Sequence, residues 1–390
     1  MSKKKGFLIV LLVASVILLL KLIVSYNVYG TNDIGSWREY SDMIGKSGSF
    51  KIYSLNRYYN HPPLVSWALK FVKLIEIKTN LPFPYLFRLL PIFADYLSVF
   101  LIWGLLADYK ISRRAMISVI CAINPINFLI SGFHGNTDTI FIFFVLLAIY
   151  FIKKDNVIAS GLAYGLSVCI KIVPLILAII FIFYIKARYK KIIFSLSFLA
   201  IVLSVFSPYL INAGHSFIRN VFLYTSYPGM WGVCGILKSA FNKNAFIITL
   251  FHEVYRLLGL YVILLFLMAI LALLSKALIN KKLDLVEGVF LTFCLFLAVI
   301  PGFGVQYLSW LSFFSVMVLP VLGVIYLLVG GFFLYRVYAY WGGCRPPYHA
   351  VAKPLTGPDE ILGIALWLIV VMMLIVFLSR VNGRCRKVVS

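Results

Sequence analysis

Carboxylates are scarce in this sequence. Only 13 Asp and Glu stand in 390 residues, against 36 Lys and Arg, for a formal net charge of +23. Charged residues make up 13%, where a soluble domain carries about 25%. Hydrophobic residues supply 62% and the mean hydropathy is +0.98, which excludes an ordinary water-soluble domain. Other absences narrow the chemistry. There is no glycine-rich nucleotide loop, no H-E-x-x-H pair and no nucleophile elbow. The six cysteines (121, 169, 234, 294, 344 and 385) lack metal-ligand spacing. No repeat of fixed period appears, and no soluble domain that could hold a nucleic-acid groove. The positive charge therefore points to membrane orientation and lipid phosphates, not to nucleic acid.

What is present is apolar sequence in long, continuous runs. Continuous runs, unlike alternating ones, read as helices, which satisfy their own backbone in lipid. The expected fold is all-α and polytopic. Basic clusters at 3–5, 108–114, 153–155, 186–191, 276–284 and 379–387 mark the cytoplasmic side, so an even number of crossings separates neighbouring clusters. That parity gives spans near 7–26, 85–107, 115–132, 139–152, 192–211, 257–275, 285–300 and 361–379. It also demands two short crossings within 157–185, broken near Lys171 to Pro174, and two within 305–335, broken at Pro320. The total is about 12 spans (11–13). The first span has a basic start and no clear small-x-small cleavage site, so it is expected to stay uncleaved. Residues 1–335 form the expected core, with 27–84 as a first extracytoplasmic loop and 212–250 as a later one. Residues 336–390 form a C-terminal loop and last span. Cys234 and Cys344 fall in expected external loops, where pairing and free thiols are both open.

The first loop is expected to be structured. Ser36 and Glu39 have capping-box spacing at the head of SWREYSDMIGK. PPLVSWALKFVKLIEIK reads as an amphipathic interfacial helix, with Leu64, Ala68, Phe71, Val72 and Ile75 on one face.

Three of the rare acids, Asp33, Glu39 and Asp42, lie within this loop. Asp33, at the membrane edge, suits a general base for a substrate held at the lipid interface, or it caps a juxtamembrane turn. Glu39 reads as a cap partner or a substrate contact. Arg57, Tyr59 and His61 follow in a stretch that interleaves cations with aromatic rings. That pattern suits a sugar phosphate, rings on the sugar and cations on the phosphate, or an ordinary polar loop at the headgroups. His134, Asn136 and Asp138 in HGNTD interrupt apolar sequence, where polar groups usually line a cavity or bind something. Lys171 and Asp95 are lone ionisable residues inside apolar runs, each a candidate partner of another buried charge. Arg219 reads as a phosphate contact or a surface residue. Gln306 and Tyr307 sit at the external end of a span.

In order, these motifs are Asp33, G-x-x-x-I-Y…Y-x-H-P-P-L (Gly48 to Leu64), R-L-L-P…A-D (Arg88 to Asp95), G-x-H-G-N-T-D (Gly132 to Asp138), K-x-x-P-L (Lys171 to Leu175) and Q-Y-L-x-W (Gln306 to Trp310). Together they resemble the GT-C superfamily of membrane glycosyltransferases, which use polyprenyl-phosphate-linked sugars, and within it glycosyltransferase family 87 and related mannosyltransferases. The resemblance implies a helical bundle in the plasma (inner) membrane with catalysis on its extracytoplasmic face. It implies Asp33 as base, an inverting transfer of a mannose-like or glucose-like hexose, and a glycan, lipid or protein acceptor. Arg57, His61, His134 and Arg219 are the candidates to meet the leaving lipid phosphate. Some relatives carry paired acids and use a divalent metal; here Asn32 stands beside Asp33, so no cofactor is expected to be required, with a divalent metal as the open alternative. Two competing readings share the span pattern: a transporter or flippase of a lipid-linked saccharide, and a non-catalytic assembly subunit.

Overall fold

The computed structural model describes residues 1–224, 231–232, 235–236, 283–300, 302–355 and 357–386. They are almost wholly helical, with one two-stranded pairing. The all-α, polytopic membrane architecture expected from hydropathy is therefore borne out. Among the described residues six helices are long and apolar enough to cross a membrane. The chain divides into two compact units, residues 1–175, 187–224 and 338–352, and residues 176–186, 225–337 and 353–390.

The first unit opens with α1 (Lys3–Asn27), whose Ser2 side chain accepts from the Lys5 N–H. Then come α2 (Asn32–Ser47), the one-turn α3 (Ile52–Leu55) and α4 (Pro63–Thr79). Helix α5 (Phe83–Leu105) starts at prolines, whose missing N–H costs nothing in a first turn. Helices α6 (Ile111–Ala122) and α7 (Pro125–Leu129) follow, divided at Asn124-Pro125. A π-helical turn at Ile130–His134 leads through Gly135 to α8 (Asp138–Lys153) and α9 (Val157–Ile170). Helix α9 stops where Lys171 turns extended, three residues before Pro174. That is the expected break, because proline cannot continue the hydrogen-bond ladder. Only 17% of the α1 span is buried against 61% of α5, so α1 lies at the periphery and α5 at the centre of this unit.

In the second unit, the short helix α10 (Ala178–Tyr184) follows a 3-10 turn. The unit also holds α12 (Leu285–Val299), α13 (Leu308–Val318), most of α14 (Pro320–Gly342) and α15 (Pro358–Arg386). The expected break at Pro320 is present between α13 and α14. An Asp284–Glu287 capping box starts α12, and Arg336 pairs with Asp359 at 2.9 Å.

Several expectations shift. Helix α11 (Arg188–Val221), in the first unit, carries the 192–211 span ten residues further, through a kink at Ala213. Residues 336–342 are helical, not loop. The Ser36–Glu39 capping box does not form. Gly30–Thr31 pairs in parallel with His349–Ala350, which makes Thr31 the extended N-cap and starts α2 at Asn32. Ser36 then lies a turn inside, its hydroxyl donating to the Asn32 carbonyl. Helix α4 is amphipathic but rotated from the expected face. Val65, Ser66, Leu69 and Val72 are buried, while Trp67, Phe71, Leu74 and Ile77 form an exposed row. The reason is that α4 has two apolar rows; packing on α2, fixed by the Ser41 hydroxyl on the Leu69 carbonyl, takes the row with the smaller side chains. The 257–275 span and Cys234 lie outside the described residues; Cys344 is an exposed thiol.

Candidate active site

The site grows from the π turn. A turn with i to i+5 bonding leaves carbonyls that a regular helix would have used. The Gly135 N–H reaches back to the Ile130 carbonyl at 2.9 Å, and the next carbonyls turn outward to other donors. Arg88, fully buried on α5, donates to the Phe133 carbonyl at 3.0 Å and to the Pro84, Ser25 and Val28 carbonyls. The Thr31 hydroxyl donates to the His134 carbonyl at 3.1 Å, and the Trp37 indole N–H to the Gly135 carbonyl at 3.0 Å. Buried polar groups demand such partners. One guanidinium thereby ties the end of α1, the start of α5 and the π turn together. Two glycines make room: Gly30 (φ +101°) and Gly135 (φ +73°) both use left-handed backbone, and a Cβ at Gly135 would stand 2.3 Å from the Ile34 side chain.

That frame puts the first turn of α2 against the HGNTD segment. Asp33 Oδ2 accepts from His134 Nε2 at 2.9 Å and from Asn136 Nδ2 at 2.8 Å. Asn136 cannot turn its amide over, because its own Oδ1 accepts the Thr137 N–H at 2.7 Å. Among the described residues Asp33 Oδ1 has only a long 3.5 Å contact from Asn32 Nδ2, while Asn32 Oδ1 accepts the Ala352 N–H. The Asp33 side chain keeps 31% exposure. Burial pushes its carboxyl up, but the electrostatic attraction of His134 and the hydrogen bonds from His134 and Asn136 outweigh it, and the carboxyl is held below its usual 3.8. Asp33 is therefore ionised throughout the neutral range, with one oxygen fixed and one open.

Around it lie the other expected residues. Lys171 pairs with Asp138 at 2.7 Å, one at the α9 break and the other in the first turn of α8. His61 packs on the Trp37 ring, centroids 4.3 Å apart. It is held down to about 3 by desolvation and by the Lys171 charge, with Asp33 pulling the other way. His134, Asn136 and Asp33 thus converge, with Lys171, Asp138 and His61 near enough to couple electrostatically.

Not every expected residue joins them. Tyr59 is fully buried, its hydroxyl 2.8 Å from Ser66 and its ring edge-on to Tyr40 and Tyr53. The loop's aromatics chiefly stack on one another and form its core. Glu39, Arg57 and Arg219 are exposed. Asn220 donates to the Tyr53 and Asn56 carbonyls and accepts from Arg219 Nε, so Arg219 is tied to the loop segment that carries Arg57. Asp42 pairs with Lys73 of α4. Gln306 and Tyr307 belong to the second unit, where Tyr307 stacks on Trp310 at 4.1 Å. Asp95 finds its charge partner: Lys21 of α1, both buried, with Asn127 donating to the other oxygen at 2.7 Å. Tyr338 was not foreseen. Its hydroxyl lies 2.8 Å from His134 Nδ1, and a tyrosine 204 residues downstream in an apolar run carries no local signal.

Residues 60–212 match the family model described as dolichyl-phosphate-mannose-protein mannosyltransferase. The resemblance is to GT-C mannosyltransferases. The chain is also similar to GPI mannosyltransferase 1 of Kluyveromyces lactis (37% identical, covering 18% of this chain and 17% of the relative). It is similar to the proteins of the same name from Dictyostelium discoideum (28% identical; 34% and 29%) and Saccharomyces cerevisiae (26%; 48% and 49%). The chain thus spans about half, or less, of the length of the curated relatives it matches. These matches bear out the resemblance to membrane glycosyltransferases that use polyprenyl-phosphate sugars, and they leave the flippase reading without support. The family match takes in the HGNTD segment, Asp138 and Lys171, whereas Asp33 precedes it.

Proposed function

We propose that this protein is a membrane mannosyltransferase that moves a mannose-like hexose from a polyprenyl-phosphate donor to an extracytoplasmic glycan, lipid or protein acceptor. The observation that carries the reading is Asp33, a carboxylate with Oδ2 held by two donors and Oδ1 open. In the proposed step Oδ1 takes the acceptor hydroxyl proton as that oxygen attacks the anomeric carbon. The bond from the sugar to the lipid phosphate breaks, and its electron pair leaves with the phosphate, inverting the anomeric centre. A carboxylate that stays ionised suits a proton transfer completed late in such a step.

The leaving phosphate needs preorganised positive charge. Lys171, held by Asp138, and the exposed Arg57 and Arg219 are the candidates to supply it. His134 already uses both ring nitrogens, which favours a role in holding Asp33 over a phosphate contact. Glu39, exposed one helical turn or more from Asp33, is left for the acceptor side. Among the described residues no three His, Cys, Asp or Glu side chains group to hold a metal ion. The proposed step uses no metal and no cofactor. A catalytic loop outside the cytoplasm draws no cytosolic nucleotide sugar, which favours a lipid-linked supply.

The test is purified full-length protein incubated with a panel of polyprenyl-phosphate sugars, measuring release of polyprenyl phosphate. Release from the mannose-linked donor is expected. Asp33→Asn is expected to lose roughly 10²–10⁴-fold in rate while still inserting and folding. Wild-type-like release by that variant would overturn the assignment of the base. Movement of intact donor between leaflets without cleavage would overturn the transferase.

A further inference from the structure

The proposed step involves Asp33, His134 and Asn136 and gives the hydroxyl of Tyr338 no role. That hydroxyl is fully buried, and His134 Nδ1 lies 2.8 Å from it. We propose that Tyr338 is a positioning residue: by donating its O–H to Nδ1 it locks His134 in the Nε2–H tautomer and thereby decides which oxygen of Asp33 is free to act as base. The inference rests on Asp33 being that base.

A neutral imidazole has one N–H and one lone pair. An ionised Asp33 can only accept, so a productive contact at Nε2 requires the proton there. Nδ1 then presents its lone pair, and a hydroxyl is the group that can fill it. In the opposite tautomer the Nε2 lone pair would face the lone pairs of Oδ2, and the carboxylate would keep only the Asn136 donor on that oxygen. It would then be free to rotate about its Cβ–Cγ bond, exchanging Oδ1 and Oδ2 at the mouth of the site. With Tyr338 in place, Oδ2 carries two short bonds and, among the described residues, Oδ1 only the 3.5 Å contact from Asn32.

Tyr338 is itself well held. Its ring packs against Phe133 at 5.1 Å and Trp341 at 6.0 Å. The chain beyond it returns to the site: the Tyr348 carbonyl accepts from the Tyr29 and Gly30 N–H groups, and Ala352 donates to Asn32 Oδ1. The segment that carries Tyr338 therefore grips the same turn of α2 that carries Asp33. The charged and titratable groups around His134 are Asp33 from α2, Arg88 from α5, His61 from the first loop, and the Lys171–Asp138 pair. Of these, Asp33 is the one bonded to the His134 ring in the structure.

The test pairs Tyr338→Phe with wild type and Asp33→Asn in the polyprenyl-phosphate mannose assay, together with ¹⁵N spectra of histidine-labelled protein. The phenylalanine keeps the ring packing and removes only the donor. Its kcat is expected to fall roughly 10- to 100-fold, by analogy with the loss of a partner that orients a metal-bound histidine, with KM for the donor unchanged. The wild-type spectrum is expected to show His134 protonated at Nε2 and bare at Nδ1, and Tyr338→Phe to lose that pattern. Trp341→Leu, which disturbs the same packing without touching the hydroxyl, is expected to keep it. An unchanged kcat in Tyr338→Phe, or a wild-type ring protonated at Nδ1, overturns the proposal. If wild type releases no polyprenyl phosphate while the tautomer still depends on the Tyr338 hydroxyl, the lock stands and the transferase reading falls.

Discussion

His61 shows how one residue's surroundings set a pH response. Its folded-state value lies at about 3 against an ordinary 6.5, through desolvation first and the Lys171 charge second. The unfolded chain takes up a proton at this ring below 6.5 while the folded chain does not, so this group removes stability as pH falls from 6.5 toward 3. Asp33 adds to the same trend lower down. Its depressed carboxyl contributes stability that is present above 3.8 and lost as pH drops through its folded value. Melting curves in detergent across that range are expected to show a shallower loss for His61→Gln than for wild type. Parallel curves would show that His61 is already charged in the fold. In the sequence His61 reads as a cation for a phosphate. In the structure its ring packs tilted against Trp37, where desolvation and a neighbouring ammonium both disfavour its charged form.

At the scale of elements, the π turn and the buried ion pair do separate jobs in positioning the site. Lys21 and Asp95 join α1 to α5, and Asn127 links that pair to the base of the π turn, where the Ser131 hydroxyl donates to the Asn127 carbonyl. Removing one member of a buried pair strands the other charge and typically costs about 3–5 kcal/mol, whereas replacing both with apolar residues is often nearly neutral. Lys21→Met alone is therefore expected to lower the melting temperature strongly, and Lys21→Met with Asp95→Leu to recover most of the loss. Equal destabilisation by the single and double changes would mean that the pair does more than neutralise itself. The sequence showed each residue as a lone charge in an apolar run, and a partner for Asp95 was expected. Its identity was not legible, because Lys21 lies 74 residues earlier on another helix. The capping box shows the converse. Ser36 and Glu39 have the right spacing, yet strand pairing at Gly30–Thr31 moves the helix start to Asn32.

For the whole molecule, the membrane topology carries a direct test. We expect the first loop outside and the 108–114 cluster inside. In sealed vesicles, with the exposed Cys344 replaced, an impermeant maleimide should label Tyr58→Cys from the extracytoplasmic side and Tyr109→Cys only after permeabilisation. Both residues are exposed, Tyr58 at 73% and Tyr109 at 37%. The opposite pattern would place the site in the cytoplasm and remove the argument for a lipid-linked donor.

Hydropathy alone determined that the chain is helical and membrane-embedded, because backbone in lipid has no other partner than itself. Charge parity together with proline located the breaks near Lys171 and at Pro320, and the rarity of acids singled out the first loop. These are local properties, legible wherever the residue and its neighbours in sequence decide the outcome. Only the tertiary structure decided that Asp33 meets His134 and Asn136, that Lys171 answers Asp138, and that Tyr338 completes the chain of hydrogen bonds. Those pairings join residues 33 to 204 positions apart, and nothing in the local pattern of an apolar helix says which distant polar group will fill its one buried vacancy.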